Sequence, residues 1–284
     1  MAIKSKGYQV WDGQLLRRAL GWTPIFRQGV LQVFRKKRAK ALYIFAGLPL
    51  LIFAAVIYVM TKPELKVFSE FIREYGTDPK LFGAYFTNGF MIFILLLLSV
   101  HAGASQIAGD RKSNAFALYF ARPITKLDYI LGKLAVVMFY LLAFTLAPGL
   151  ILILLKMLFT GSMVIDLQVA GATVIFPLLV SLCFATMILA FSSLARSGKL
   201  VTVVLFVLYF ASDIVQGILS GIFRSRWFHL LSLRENIQNF GWTIFGANTR
   251  ADDVLLGWLS GLVLLVLTAV FGGVLALRIR RVEA

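Results

Sequence analysis

The sequence predicts an all-α integral membrane protein with six transmembrane helices. An amphipathic interfacial helix precedes the first span, and a short helical loop separates the second from the third. Three observations carry this expectation. Hydrophobic residues make up 60% of the 284 residues and mean hydropathy is +0.85, whereas soluble domains average about 45–50% apolar. Six runs, 41–60, 85–107, 134–155, 169–191, 200–219 and 254–277, each approach the about 20 apolar residues that a spanning helix needs. The whole net charge of +16 falls on one side of those runs.

The chain divides near residue 40 into an N-terminal segment, 1–40, and a six-helix domain, 41–284. In the first segment Thr23 can cap a helix and Pro24 suits its first position. Trp22, Phe26, Val30, Val33 and Phe34 then share a face, with Arg27, Gln28, Gln32, Arg35 and Lys36 elsewhere. That is the pattern of a helix lying along a membrane surface; a flexible basic tail is the other reading. The first span is expected to be retained, because forty residues precede it and its apolar run exceeds a signal-peptide core.

The loop 109–133 reads GDRKSNAFALYFARPITKLDYILGK. Asp110 and Ser113 are plausible helix starters, and 114–121 read as a short helix carrying Phe116, Tyr119 and Phe120. Arg122 precedes Pro123, which pushes it out of the helical region and forces a turn. Thr125, Lys126, Leu127 and Asp128 then form a capping-box-like start to the third span. Aromatic groups rimmed by charge on a loop fit a docking surface, and they equally fit a helix resting on the lipid interface.

Charge fixes the expected orientation. Residues 1–40, 109–133, 192–199 and 278–284 hold 20 Lys+Arg and 4 acids, and the rest of the chain holds 9 of each. The positive-inside rule places the first group in the cytoplasm, so both termini are expected inside. The same pattern explains a pI near 10.2 without a nucleic-acid partner. Anionic lipids of the inner leaflet are the expected neighbours.

Catalytic chemistry is sparse. The single cysteine, Cys183, lies in an apolar run and excludes both a disulfide and a Cys-rich metal site. The histidines, His101 and His229, have no partner at metal-ligand spacing. A phosphate-binding P-loop needs G-x-x-x-x-G-K-[ST]. Gly132-Lys133 and Gly198-Lys199 are each followed by Leu and lack the earlier glycine. The adjacent Asp252 and Asp253 read as a solvated helix start. The chain is therefore expected to be no enzyme and to hold no cofactor.

Three polar residues within spans remain. Asp213 and Gln216 share a face of the fifth span, and His101 lies in the second. An intramembrane charge costs about 2.5–3.5 kcal/mol on insertion scales, so it faces the protein interior or a water-filled path. Asp213 is either a pathway residue or a paired structural acid near the outer interface. His101 is either a pathway residue or a packing histidine.

The loop resembles the first cytoplasmic loop of ABC-2-type permeases, the transmembrane subunits of bacterial ABC exporters. That family commonly has an acid and Arg, a Gly-Thr-Leu helix, then an R-P-[IV]-[ST]-R segment ending in Gly-Lys. Asp110, Arg111, Arg122, Pro123, Ile124, Thr125, Lys126, Gly132 and Lys133 stand in those places, while Asp110 replaces the usual Glu and Asn114-Ala115 the Gly-Thr pair. The amphipathic N-terminal helix and the six spans also match. So does the outer segment 220–253, where the family has short re-entrant helices. The resemblance implies an ABC-2-type exporter fold, with two permease copies or related chains paired. Each would carry a cytoplasmic P-loop ATPase that binds ATP and Mg. Asp110, Arg111, Lys112, Phe116, Tyr119, Phe120, Arg122, Pro123 and Lys126 would form its docking and coupling site. His101, Asp213 and Gln216 would then be candidates for the transport pathway, since spans two and five line it in that family.

Two other function classes stay open. A secondary transporter using Asp213 as an ion site would show an inverted repeat with broken helices, and none is evident in the sequence. A membrane scaffold would need no polar residue at mid-span. Nothing selects a substrate, although the apolar spans favour an amphipathic cargo.

Overall fold

A computed structural model describes residues 21–35, 37–61, 76–120, 124–161 and 166–281. Among them all regular structure is helical. Six helical stretches are long and apolar enough to cross a membrane, matching the six expected spans. Their ends differ from the hydropathy reading wherever a cap, a proline or a paired charge intervenes.

The first helix, α1 (Thr23–Phe34), starts with Trp22 at the cap position and Pro24 in its first turn. The residue at the cap is thus Trp22 rather than Thr23. Span one is two helices, α2 (Lys37–Ala46) and α3 (Leu48–Met60). Pro49 explains the break, since it removes an N–H and suits the first turn of a new helix.

Span two is not one uninterrupted helix beginning at residue 85. Residues 85–87 end a separate helix, α4 (Asp78–Thr87), and α5 (Gly89–Gly103) begins after Asn88. Asn88 is extended at ψ 130°, and its side chain accepts from the Phe90 N–H at 2.8 Å. A second break at 104–105 leads into α6 (Gln106–Lys112). A new helix start needs acceptors for its free N–H groups. Ser192 of span four supplies one: its Oγ accepts from Ile107 and Ala108 at 3.1 and 3.0 Å and donates to the Ala104 carbonyl at 3.0 Å.

After the six-residue α7 (Ala115–Phe120), span three is α8 (Lys126–Thr160), 35 residues long. At 1.5 Å per residue it measures about 52 Å, well beyond the about 30 Å of a hydrocarbon core. Its first two turns therefore stand clear of the apolar run. The Thr125 capping box is present: Thr125 Oγ1 accepts from Asp128 N–H, and the Asp128 carboxylate accepts from Thr125 N–H, both at 3.1 Å. Span four is α9 (Leu167–Leu194), span five α10 (Gly198–Phe223) and span six α12 (Ala251–Arg280). Between spans five and six lie a 3₁₀ turn (Arg226–Leu231) and α11 (Leu233–Ile244).

Burial sorts the spans. Two-thirds of the apolar windows of spans two and four are buried (67% each), against 17%, 22% and 28% for spans one, five and six. Spans two and four form the centre, with Phe176, Phe184 and Ile188 among the closed-off side chains. Span five keeps an apolar flank open, including Val203, Val207, Ile214 and Ile218. Cys183 is buried in the centre of span four, as expected of a packing residue.

Candidate functional site

The charged ends of spans two and three meet at one half-buried acid. Asp110 lies inside α6, near the end of span two, and does not start a helix. Ser113 likewise closes α6: its Oγ donates to the Gly109 carbonyl at 3.0 Å. The chain then reverses at Asn114, whose φ of 52° is left-handed, a conformation Asn tolerates better than most residues.

That turn lays α7 against the foot of span three. The Lys133 ammonium meets the Asp110 carboxylate at 2.7 Å, and the Tyr129 hydroxyl donates to the same oxygen at 2.7 Å. Lys133 also donates to Gln106 Oε1 at 3.2 Å. Phe116 and Tyr119 meet the Tyr129 ring edge-on at 5.6 and 5.3 Å. The Lys133 ammonium lies over the Tyr119 and Tyr129 rings at 5.7 and 5.5 Å, within cation–π range. Burial, and then the negative charge of Asp110, raises the Tyr119 pKa, so its hydroxyl stays neutral.

Phe116 and Tyr119 are therefore half-buried anchors of α7 rather than freely exposed rings. Arg111 and Lys112 are exposed. As neighbours on one helix they turn to different sides, Arg111 to a small cavity beside span six and Lys112 to a cleft beside span five. Lys126 donates to the Arg280 carbonyl at 2.9 Å, tying the start of α8 to the end of α12. Arg122, Pro123 and the Phe120 side chain lie outside the described residues.

The N-terminal helix joins the same assembly. Added Cβ atoms at Gly21, Gly132 and Gly29 would meet Asp128, Ile25 and Val136 respectively, at 2.8, 2.8 and 2.4 Å. The Tyr140 hydroxyl donates to the Val30 carbonyl at 2.9 Å. Pairing advances about four residues at a time on both helices, so α1 runs parallel to α8 along its first turns. The glycines permit the backbones to approach. The buried positions are Ile25, Gly29 and Val33, so the packed face is turned from the one centred on Phe26 and Val30 that periodicity suggested.

Beside this hub a cleft of about 590 Å³ opens between spans two and five. His101, Ser105, Lys112, Ser197, Lys199 and Thr202 line it. His101 thus borders a cleft and is half-buried.

At the opposite end, Asp213 is an ion-paired acid. Arg234 Nε lies 2.6 Å from its carboxylate, and Ser232 donates to the other oxygen. Arg234 also pairs with Glu235 at 3.0 Å, and His229 Nδ1 lies 3.2 Å from Glu235. Burial pulls the Arg234 pKa down, but the hydrogen bond and charge of Asp213 and the charge of Glu235 outweigh it and leave the pKa raised. The network pins α11 to span five. Gln216 is buried one turn further on and donates to Ser220 Oγ at 3.4 Å. No bond joins Gln216 to Asp213, so the face they share does not bring the two side chains together. Asp253 opens α12 beside Asp252 and pairs with Arg226 at 2.8 Å.

Tyr129, Gln106, Lys133, Ser192 and Arg234 carry this architecture without having been singled out for a role. Lys133 had a readable signal: it is the last charge before a long apolar run, and a cation there needs a partner.

Six apolar spans, with a helical loop bonded to two of them and an open cleft between spans, define a multi-pass membrane protein. The family model described as ABC-2 family transporter protein matches residues 34–213, more than half of the chain. The chain belongs to this family and is a permease of an ABC transporter, a family that normally works with an ATPase subunit. No curated protein matches the sequence.

Proposed function

We propose that this chain is the membrane half of an ATP-driven exporter in a bacterial inner membrane. The basic end and both termini face the cytoplasm. A separate cytoplasmic P-loop ATPase, holding ATP and Mg, docks on the loop 109–133 beside α1. Two copies, or two related chains, pair to enclose the path, and the open apolar flank of span five is the surface available for pairing. Hydrolysis belongs to the ATPase, and this chain turns it into movement.

The observation that carries the reading is the Asp110–Lys133–Tyr129 hub. A force on α7 reaches Tyr129 through two ring contacts, and from Tyr129 and Lys133 it passes to Asp110. The feet of spans two and three are thereby moved as a unit. Packed elements transmit displacement because interiors are close-packed and resist compression. Lys112, exposed at the end of α6, is left to meet the ATPase, while Phe116 and Tyr119 act as the inner anchors of the lever.

The cleft beside His101 is the entry to the path between spans two and five, with Gln216 further along span five. Asp213 serves by holding α11 over the far end. Anionic lipids surround the basic rim, and nucleic acid has no part in the function.

Co-purification with the ATPase tests this reading. Lys112→Glu, on an exposed side chain, should leave insertion intact and reduce ATPase retention. Phe116→Ala with Tyr119→Ala should leave ATPase bound but uncouple its hydrolysis from transport. Normal retention and coupling in both variants would remove the loop from the docking site.

A further inference from the structure

Three arginines converge on one cavity at the basic end, beside the hub and apart from the cleft. It measures about 260 Å³ and lies among Arg111 on α6, Phe116 on α7, Ser193 on α9, and Arg278 and Arg281 at the end of α12. Its floor is apolar, formed by the buried Ile107 and Ile279. Arg278 and Arg281 are three residues apart and so lie on one side of the helix end. The Arg280 carbonyl, by contrast, is engaged by Lys126.

Among the described residues none of these three arginines pairs with a carboxylate, although Arg226 and Arg234 at the opposite end both do. Asp110, next to Arg111 in sequence, is committed to Lys133 and Tyr129, and Glu283, two residues beyond Arg281, lies outside the described residues. Helix C-termini favour one or two cations each, which accounts for Arg278 and Arg111 separately. It does not account for cations from two helix ends facing one apolar-floored cavity, where they repel one another.

We propose that this cavity binds the phosphate of an anionic phospholipid. Guanidinium forks match phosphate oxygens bidentately, and basic pockets between spans are headgroup sites. The volume of about 260 Å³ lies below the about 300–1,000 Å³ of pockets that enclose whole drug-sized ligands, so it admits a headgroup while the acyl chains stay outside. The open apolar flank of α12, including Leu277, Val270 and Val266, offers those chains a bed. The bound phosphate would clamp the coupling loop, through Arg111, to the end of span six, making loop position sensitive to lipid charge. Placement in the cytoplasmic leaflet rests on the orientation proposed above; the binding itself does not.

The test uses the full chain in nanodiscs of phosphatidylcholine with or without phosphatidylglycerol, read by native mass spectrometry and thermal melting. The wild type should retain phosphatidylglycerol in preference and melt higher with it. A juxtamembrane arginine contributes about five-fold in affinity, so Arg278→Gln with Arg281→Gln should lower that preference about twenty-five-fold. Arg224→Gln with Arg250→Gln, at the opposite end, should leave it unchanged. Should the first double variant fail to fold, the exposed Arg281→Gln alone should show the five-fold loss. Equal retention of both lipids by the wild type, or unchanged preference in the arginine variants, would overturn the proposal. So would inorganic phosphate stabilising the delipidated protein and displacing phosphatidylglycerol, which would make the ligand a soluble anion. A wrong orientation would instead appear as outside labelling of Lys112→Cys, with lipid selectivity intact.

Discussion

Lys133 and Asp110, on different spans, form an ion pair of 2.7 Å whose side chains are 8% and 18% exposed. The pair closes the angle between spans two and three, and it sits where α7 meets them. Removing one partner of a buried pair strands the other and costs about 3–5 kcal/mol. Lys133→Met should therefore destabilise the protein by that order, and Asp110→Asn by less, because Asn can still accept from Tyr129. The double variant should melt above Lys133→Met, since it leaves no stranded charge, and the two effects should be non-additive. Thermal melting in detergent reads both. Additive losses would mean that the residues act separately.

The close approach of α1 and α8 gives a second prediction. A Cβ at Gly132 would lie 2.8 Å from Ile25 Cβ and 3.1 Å from the Trp22 carbonyl, and the carbonyl cannot swing aside. Gly132→Ala should cost about 1–3 kcal/mol, as overpacking does, and should release α1 to protease before the spans unfold. If α1 stayed as protected as in the wild type, it would have to be held by contacts other than this one.

Much of this was legible in the sequence, and the reasons for the rest are particular. Six spans followed from apolar run length, and Thr125–Asp128 announced its own capping box. The span-two break at Asn88 did not show, because one polar residue among Phe90, Met91 and Ile92 barely alters a hydropathy average. Span three was read eight residues short at its start, since Lys126, Asp128 and Lys133 look like loop until their partners are known. Those partners, the Arg280 carbonyl, Thr125 and Asp110, are long-range in two cases of three. The same holds for Asp213. Sequence left it between pathway and structure, and Arg234, 21 residues on, supplies the pairing. Helical periodicity found α1 but turned its face, because Gly29 carries no hydrophobic signal and yet marks the closest contact.

Arg234 offers a third prediction. It bridges Asp213 of span five and Glu235 of α11, and its side chain is 34% exposed, so solvent screens part of the interaction. Arg234→Gln should cost about 1–2 kcal/mol, the about 1.5–3 kcal/mol of hydrogen bonds to charged groups reduced by that screening. Because the bond ties α11 to span five, amide exchange should rise in α11 more than in span four. Asp213→Asn should produce the same local opening, and the pair should couple in a double-mutant cycle. A transport defect in Asp213→Asn with α11 exchange unchanged would return Asp213 to the pathway itself.

The last prediction is orientation, and it rests on where the charges stand once the chain is folded. Arg111, Lys112, Arg196, Lys199 and Arg281 are exposed at one end of the bundle. The acids Asp213, Glu235 and Asp253 at the other end are matched by Arg234 and Arg226, so that end offers little net charge. Retention follows the number of Lys and Arg near span ends, with acids contributing little, and the segments at the first end hold 20 of the chain's 29. The end carrying the unmatched cations should therefore stay in the cytoplasm. With Cys183 replaced by Ala, a cysteine at Lys112 or Arg196 should resist an impermeant maleimide in intact cells and react after permeabilisation. A cysteine at Arg250, exposed at the matched end, should react in intact cells. Reversal of that pattern would place α7 and its hub outside, beyond the reach of any cytoplasmic ATPase. The coupling role would fall with it, while the packing of the hub would stand.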